Sequence, residues 1–204
     1  LKLAQQEVGA THVAADIGCH SFGTLPPFSM GNSIVGFGMS LASAAAVSSV
    51  TGKRPVAVMG DGGFWHNGII SGVAGNLFNK GDGVLVILQN GYTSATGQQF
   101  MPSTLADGHR AEKPMDIEKT LKVMGVKWLR KVRSYSVAAM RETLAEAIRG
   151  TGKGLRVIIA DGECQLARQR RVKAEDAAKL KAGEKVIKVR YGVDDDICSG
   201  DHAC

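Results

Sequence analysis

Three short apolar runs, residues 56–59, 84–88 (VLVIL) and 155–160 (LRVIIA), are continuous rather than alternating, and glycine stands close by each. Runs this short and rich in β-branched residues predict strands buried on both faces. Residues 11–17 (THVAADI), closed by Gly18, and residues 126–132 add two more. Between them lie longer segments with helical character. Residues 31–50 are rich in Ala, Ser and Met and predict a helix with a small-residue face. Residues 67–79, 116–124 and 137–149 predict three further helices, with Asp116 as an N-cap. Residues 91–114 hold no period and carry Gly97, Pro102, Gly108 and Pro114, which predicts a long functional loop. Alternating strands and helices joined by short connections predict an α/β fold, a parallel sheet flanked by helices on both faces. That domain is expected to span residues 1–167.

Beyond it the pattern changes. Residues 168–190 carry a net charge of +6, residues 191–204 carry −4, and the first 167 residues only +4. The basic excess therefore belongs to a C-terminal extension, a linker in which residues 174–182 could be helical. A nucleic-acid face would spread cations over a folded surface with aromatics among them, so nucleic acid is not an expected partner. No apolar stretch approaches the ~20 residues of a membrane span; residues 38–50 come nearest and are broken by serines. Four widely spaced cysteines (Cys19, Cys164, Cys198, Cys204) do not form a secreted disulfide framework, which favours a reducing, cytoplasmic setting. A chain running from Leu1 to Cys204 without a leader reads as part of something longer.

Glycine is the compositional outlier, 26 residues, 17 of them between Gly18 and Gly108. They gather where predicted strands end: Gly18-Cys19-His20, Gly60-Asp61-Gly62-Gly63 and Gln89-Asn90-Gly91-Tyr92. Ligands of open parallel sheets bind beyond those ends. Asp61 and Asn90 are 29 residues apart, one crossover unit, so both can reach one crevice. A carboxylate, an amide oxygen and a backbone carbonyl beyond Asn90 are hard donors, suited to magnesium holding a diphosphate. Gly60, Gly62 and Gly63 would let backbone approach the phosphates. Either motif alone is a common turn; their spacing is what makes the pair informative.

Together they resemble the thiamine diphosphate signature. The flanking residues narrow the resemblance to the 2-oxoacid:ferredoxin oxidoreductases: Asp16-Ile-Gly-Cys-His20, Pro26-Pro27, Met30-Gly31-Asn32-Ser33 and the loop Gln89-Asn-Gly-Tyr-Thr-Ser-Ala-Thr-Gly-Gln98. The likeness covers about residues 12–167 and is closest to the alpha subunit of the indolepyruvate enzymes, which usually carry Tyr at His20 and Ser at Gly62. It implies that Asp61, Asn90 and the Tyr92 carbonyl bind Mg2+. It also implies that Gly18, Cys19, His20, Gly31, Asn32, Ser33, Gly60, Gly62, Gly63, Thr93, Thr96 and Gly97 contact thiamine diphosphate.

The implied reaction is oxidative decarboxylation of a 2-oxoacid substrate to an acyl-coenzyme A, with electrons passing to ferredoxin. His20 and His66 are candidate catalytic groups. The activating Glu of such enzymes comes from a separate pyrimidine-binding domain or subunit, and Glu7, Glu112 and Glu163 fall outside the expected site. The chain alone should therefore be inactive and oligomerise to complete its site. Cys198 and Cys204, in residues 191–204, would open a segment that in the longer parent binds a [4Fe-4S] cluster. Two alternatives stay open: a non-oxidative thiamine diphosphate-dependent 2-oxoacid decarboxylase, and a noncatalytic phosphate- or nucleotide-binding module.

Overall fold

A computed structural model describes residues 1–105, 113–188 and 192. Residues 1–167 form one compact unit around a six-stranded sheet ordered β2-β1-β3-β4-β6-β5. The strands are β1 (Val13–Ala15), β2 (Ser33–Ile34), β3 (Val56–Gly60), β4 (Val84–Gln89), β5 (Trp128–Arg133) and β6 (Arg156–Asp161). Every neighbouring pair is parallel. The parallel α/β architecture expected from the apolar runs is thus the one observed.

Successive strand residues face opposite sides, and both sides are dry. Ala57, Met59, Leu85, Ile87, Val157 and Ile159 pack beneath α2 (Ser40–Thr51) and α5 (Ile117–Val123). The same face is covered by a continuous helix built from α3 (Asp61–Gly63), a π-helical stretch (Phe64–Ala74) and α4 (Gly75–Phe78). Val56, Val84, Val86, Ile158 and Ala160 pack on the other face under α1 (Lys2–Val8) and α6 (Val137–Arg149). Burial on both faces explains why the strands read as continuous apolar runs.

Three expectations change. The helix expected over residues 31–50 is divided: Ser33 and Ile34 form the edge strand β2, and just before it Asn32 Oδ1 accepts the Val13 amide at 2.8 Å. The helix then waits for Ser40, because Gly38 adopts φ +79°. The helix expected from residue 67 begins six residues earlier, at Asp61, with no loop after β3. The helix considered over residues 174–182 is α7 (Gln165–Lys181), which has no buried residue. Part of the long loop (residues 106–112, with Glu112) and both terminal cysteines, Cys198 and Cys204, lie outside the described residues.

Candidate cofactor site

β3 turns directly into helix at Asp61, so this carboxylate sits at the first helical position with the Gly62 and Gly63 amides just behind it. Asp61 is almost wholly buried. Its Oδ1 accepts the Gly62 amide at 3.1 Å, and its Oδ2 accepts the amides of Asn90 and Gly91 at 2.8 and 2.7 Å. Burial raises the carboxyl to about 6 against the opposing pull of those amides. Asn90 Oδ1 accepts the Tyr92 amide at 3.1 Å and the Ser94 hydroxyl at 3.2 Å, which holds the amide oxygen toward the loop.

That loop is anchored from beneath. Thr104 donates its hydroxyl to the Gly91 carbonyl at 2.7 Å and accepts the Met101 amide at 2.9 Å. Trp65 donates its indole N–H to Ser103 at 2.8 Å, while Phe64 is fully buried in the core. Both aromatics therefore support the loop rather than forming a substrate wall.

The crevice enclosed at these strand ends has a volume of about 80 Å³. Small-molecule pockets begin near ~300 Å³, so this crevice could seat a diphosphate group but not a whole coenzyme. Gly18, Cys19, His20, Gly60, Asp61, Gly62, Gly63, Asn90, Tyr92 and Thr93 all line it, as do Phe37, Ser94 and Ala95. Gly62 and Gly63 are tightly enclosed, whereas Gly60 has open space beside it. A Cβ on Gly62 would lie 2.4 Å from Thr93 Oγ1, and one on Gly63 would lie 2.7 Å from Asp16 Oδ2. Cys19 is exposed there as a free thiol, whereas Cys164 is buried. The His20 Nε2 is buried without a partner, and desolvation lowers its pKa against the Val58 carbonyl, which raises it.

Other expected site residues lie elsewhere. Asn32 and Ser33 are engaged with the sheet edge, Ser33 Oγ meeting His12 Nε2 at 3.1 Å, and Gly31 precedes them; none of the three lines the crevice. Exposed Thr96 donates to Gln99 Oε1 at 2.6 Å, and neither it nor Gly97 reaches the lining. His66 packs against Phe37, ring centroids 5.2 Å apart, and does not line the crevice. Glu7 is bound to Arg141 and Arg149 on the outer helices.

One important group has no role in the motif that contains it. Asp16, fully buried at the end of β1, accepts the Ile17 amide at 2.7 Å and the Gly38 amide at 2.8 Å. Burial raises it too to about 6, opposed by those amides and by the charge of His66. The signal was available: a carboxylate that terminates a buried apolar run needs backbone donors.

The donor set is coherent for a hard cation with a diphosphate. Asp61 Oδ1, Asn90 Oδ1 and the Tyr92 carbonyl are all oxygens on adjoining strand ends. Among the described residues no group of three His, Cys, Asp or Glu side chains could hold a metal alone.

Residues 16–160 match the family model described as thiamine pyrophosphate enzyme, C-terminal TPP binding domain. Indolepyruvate oxidoreductase subunit IorA of Methanothermobacter thermautotrophicus is 31% identical over 153 residues, covering 74% of this chain and 24% of that protein. The Pyrococcus abyssi IorA is 31% identical over 204 residues, covering 93% and 30%. The chain thus spans about a quarter to a third of the length of these relatives. Among solved structures, a 2-oxoglutarate:ferredoxin oxidoreductase from Magnetococcus marinus superposes with TM-score 0.63 at 18% identity, covering 80% of this chain and 59% of that one. The fold is therefore that of thiamine diphosphate enzymes, and the match over residues 16–160 makes the chain a member of the thiamine pyrophosphate enzyme family, carrying its C-terminal TPP binding domain.

Proposed function

We propose that this chain supplies the diphosphate-binding half of a thiamine diphosphate-dependent 2-oxoacid oxidoreductase, with an arylpyruvate-type 2-oxoacid as substrate, coenzyme A as acyl acceptor and ferredoxin as electron acceptor. The observation that carries it is the Asp61–Asn90 pair, joined across β3 and β4 above a glycine cradle. Asp61 Oδ1, Asn90 Oδ1 and the Tyr92 carbonyl would hold Mg2+. Gly18, Cys19, His20, Gly60, Gly62, Gly63 and Thr93 would face the diphosphate. When bound, thiamine diphosphate supplies the electron sink for breaking the bond to the 2-oxoacid carboxylate.

The remaining roles belong to this chain's residues. Asp61 fixes the loop after β4 through two amides and leaves one oxygen toward the crevice. Asp16 holds the Gly38 turn beside Gly63 and so keeps the floor of the cradle closed. His20, whose burial favours the uncharged ring, lies at the crevice wall.

Described Glu7 and Glu163 do not line the crevice, which supports an activating Glu donated by a partner domain or subunit. Its docking face would draw on the exposed apolar side chains that follow β1 and flank β2: Ile17, Phe22, Leu25, Phe28, Ile34 and Val35. Clustered apolar exposure of this kind marks an interaction surface. A [4Fe-4S] cluster would belong to the longer parent, in a cytoplasmic setting; no described helix is long and apolar enough to cross a membrane.

Calorimetric titration of the chain with thiamine diphosphate and Mg2+ tests the reading. Saturable binding that disappears in Asp61→Ala is expected, together with no 2-oxoacid-dependent reduction of a viologen dye by the chain alone. Unchanged binding by Asp61→Ala would overturn the metal assignment, and robust turnover would overturn the half-site.

A further inference from the structure

At the opposite end of the sheet, where strands begin, lies a cavity of about 330 Å³ that the cofactor chemistry does not use. Three connections surround it, following α4, α5 and α6, and each contributes a lysine: Lys80, Lys127 and Lys153. No carboxylate lines the cavity. Among the described residues the side chains of these three lysines form no ion pair or hydrogen bond. The indole of Trp128 forms part of the wall, and Arg156, 8% exposed, lies at its base.

The ordinary reason for cations here is the partial negative charge of helix C-termini. That demand is already met at α6. Arg156 donates to the carbonyls of Ala147 and Thr151 at 3.1 and 2.7 Å, and Arg54 donates to those of Ala147, Ile148, Gly150 and Gly152. Two carboxylates offset the guanidiniums: Asp82 pairs with Arg54 at 2.7 Å, and Asp82 and Glu146 both act on Arg156. The charges at the base are therefore already matched without the lysines, whose three charges come in addition, and desolvation together with Arg54 depresses the Arg156 pKa. Three further lysines converging on one concave, carboxylate-free space beside an aromatic wall match a ligand of high negative charge.

We propose that this cavity is a second binding site, for a small phosphate-bearing anion carrying a di- or triphosphate group. It stands independently of the thiamine diphosphate reading, since it shares no residue with the crevice. Gly152 and Gly154, at φ +85° and +131°, bend the last connection so that its backbone amides can also approach the anion.

The test uses the full chain carrying Trp65→Phe, which leaves Trp128 as the sole indole. Trp128 emission is followed at low salt without Mg2+ while inorganic tripolyphosphate or ADP is added, and the titrations are repeated with Lys80→Gln, Lys127→Gln and Lys153→Gln combined. Saturable quenching weakened at least tenfold by the triple substitution is expected. Comparable affinity for both ligands identifies an oligophosphate site; tighter ADP binding identifies a nucleotide site. No saturable signal with either ligand, or equal titration of the triple variant, would overturn the proposal. Circular dichroism of the triple variant guards against a folding defect, which surface glutamines should not cause.

Discussion

Asp61 fastens the end of β3 to the end of β4: its Oδ2 accepts the Asn90 backbone amide at 2.8 Å across the sheet. The two residues that carry the cofactor signature are thus positioned by each other before any ligand arrives. A first expectation is that Asp61→Asn, nearly isosteric, abolishes Mg2+-dependent thiamine diphosphate binding, by at least about 100-fold in calorimetry. It should not lower the thermal stability of the unliganded chain at pH 8, because the amide avoids the cost of burying a charge.

The same burial makes stability depend on pH. Asp16 and Asp61 are both raised from 3.8 to about 6, so the folded chain binds their protons more tightly than the unfolded chain does. Their stabilising contribution is full below about pH 4 and is lost as pH rises to about 6, with no further loss above. Each shift corresponds to about 3 kcal/mol. Urea unfolding of the unliganded chain at pH 5, 6 and 7 should show stability falling and then levelling from these two groups.

Cofactor binding should run the other way. A cation needs Asp61 ionised, so affinity for Mg2+ and thiamine diphosphate should climb up to about tenfold per pH unit below 6 and level above it. Calorimetry in buffers of different ionisation enthalpy would also reveal proton release at the lower pH values.

Gly38 combines φ +79° with a Cβ position 2.5 Å from the Gly63 carbonyl oxygen and 2.8 Å from the Gly68 amide nitrogen. Backbone cannot step aside as a side chain can. Gly38→Ala should destabilise the chain by at least about 2 kcal/mol in denaturant unfolding. At Gly62 the three nearest atoms all belong to Thr93, its hydroxyl oxygen foremost; the cost of Gly62→Ala should appear chiefly as weaker thiamine diphosphate binding.

Thr104→Val keeps the side-chain shape and removes two hydrogen bonds, to the Gly91 carbonyl and the Met101 amide. The loop after Asn90 should loosen. A loss of about 1–2 kcal/mol in stability is expected, with a several-fold rise in the dissociation constant for thiamine diphosphate.

The strands were legible because burial on both faces leaves an unbroken apolar run, as in β4 and β6, and the spacing of Asp61 and Asn90 could be read as one crossover. What was hidden depended on contacts between distant segments. Residues 31–39 look helical in composition, yet the Asn32 side chain and the Gly38 backbone commit them to an edge strand and a turn. Asp16 read as part of a motif, and its function as an anchor appears only once Gly38 is brought to it. His66 lies close to Asp61 in sequence, yet it packs against Phe37, and it is Phe37 that lines the crevice.

The division of labour within the Asp61 carboxylate also governs how such a site would be loaded. With Oδ2 committed to the amides of Asn90 and Gly91, a single carboxylate oxygen, an amide and a carbonyl remain to face a dication. That is a poor chelator for a free, strongly hydrated ion, and the balance of charge and ligands must come from phosphate oxygens. Metal and diphosphate would then be mutually obligate guests: neither retained firmly without the other, and the pair admitted together.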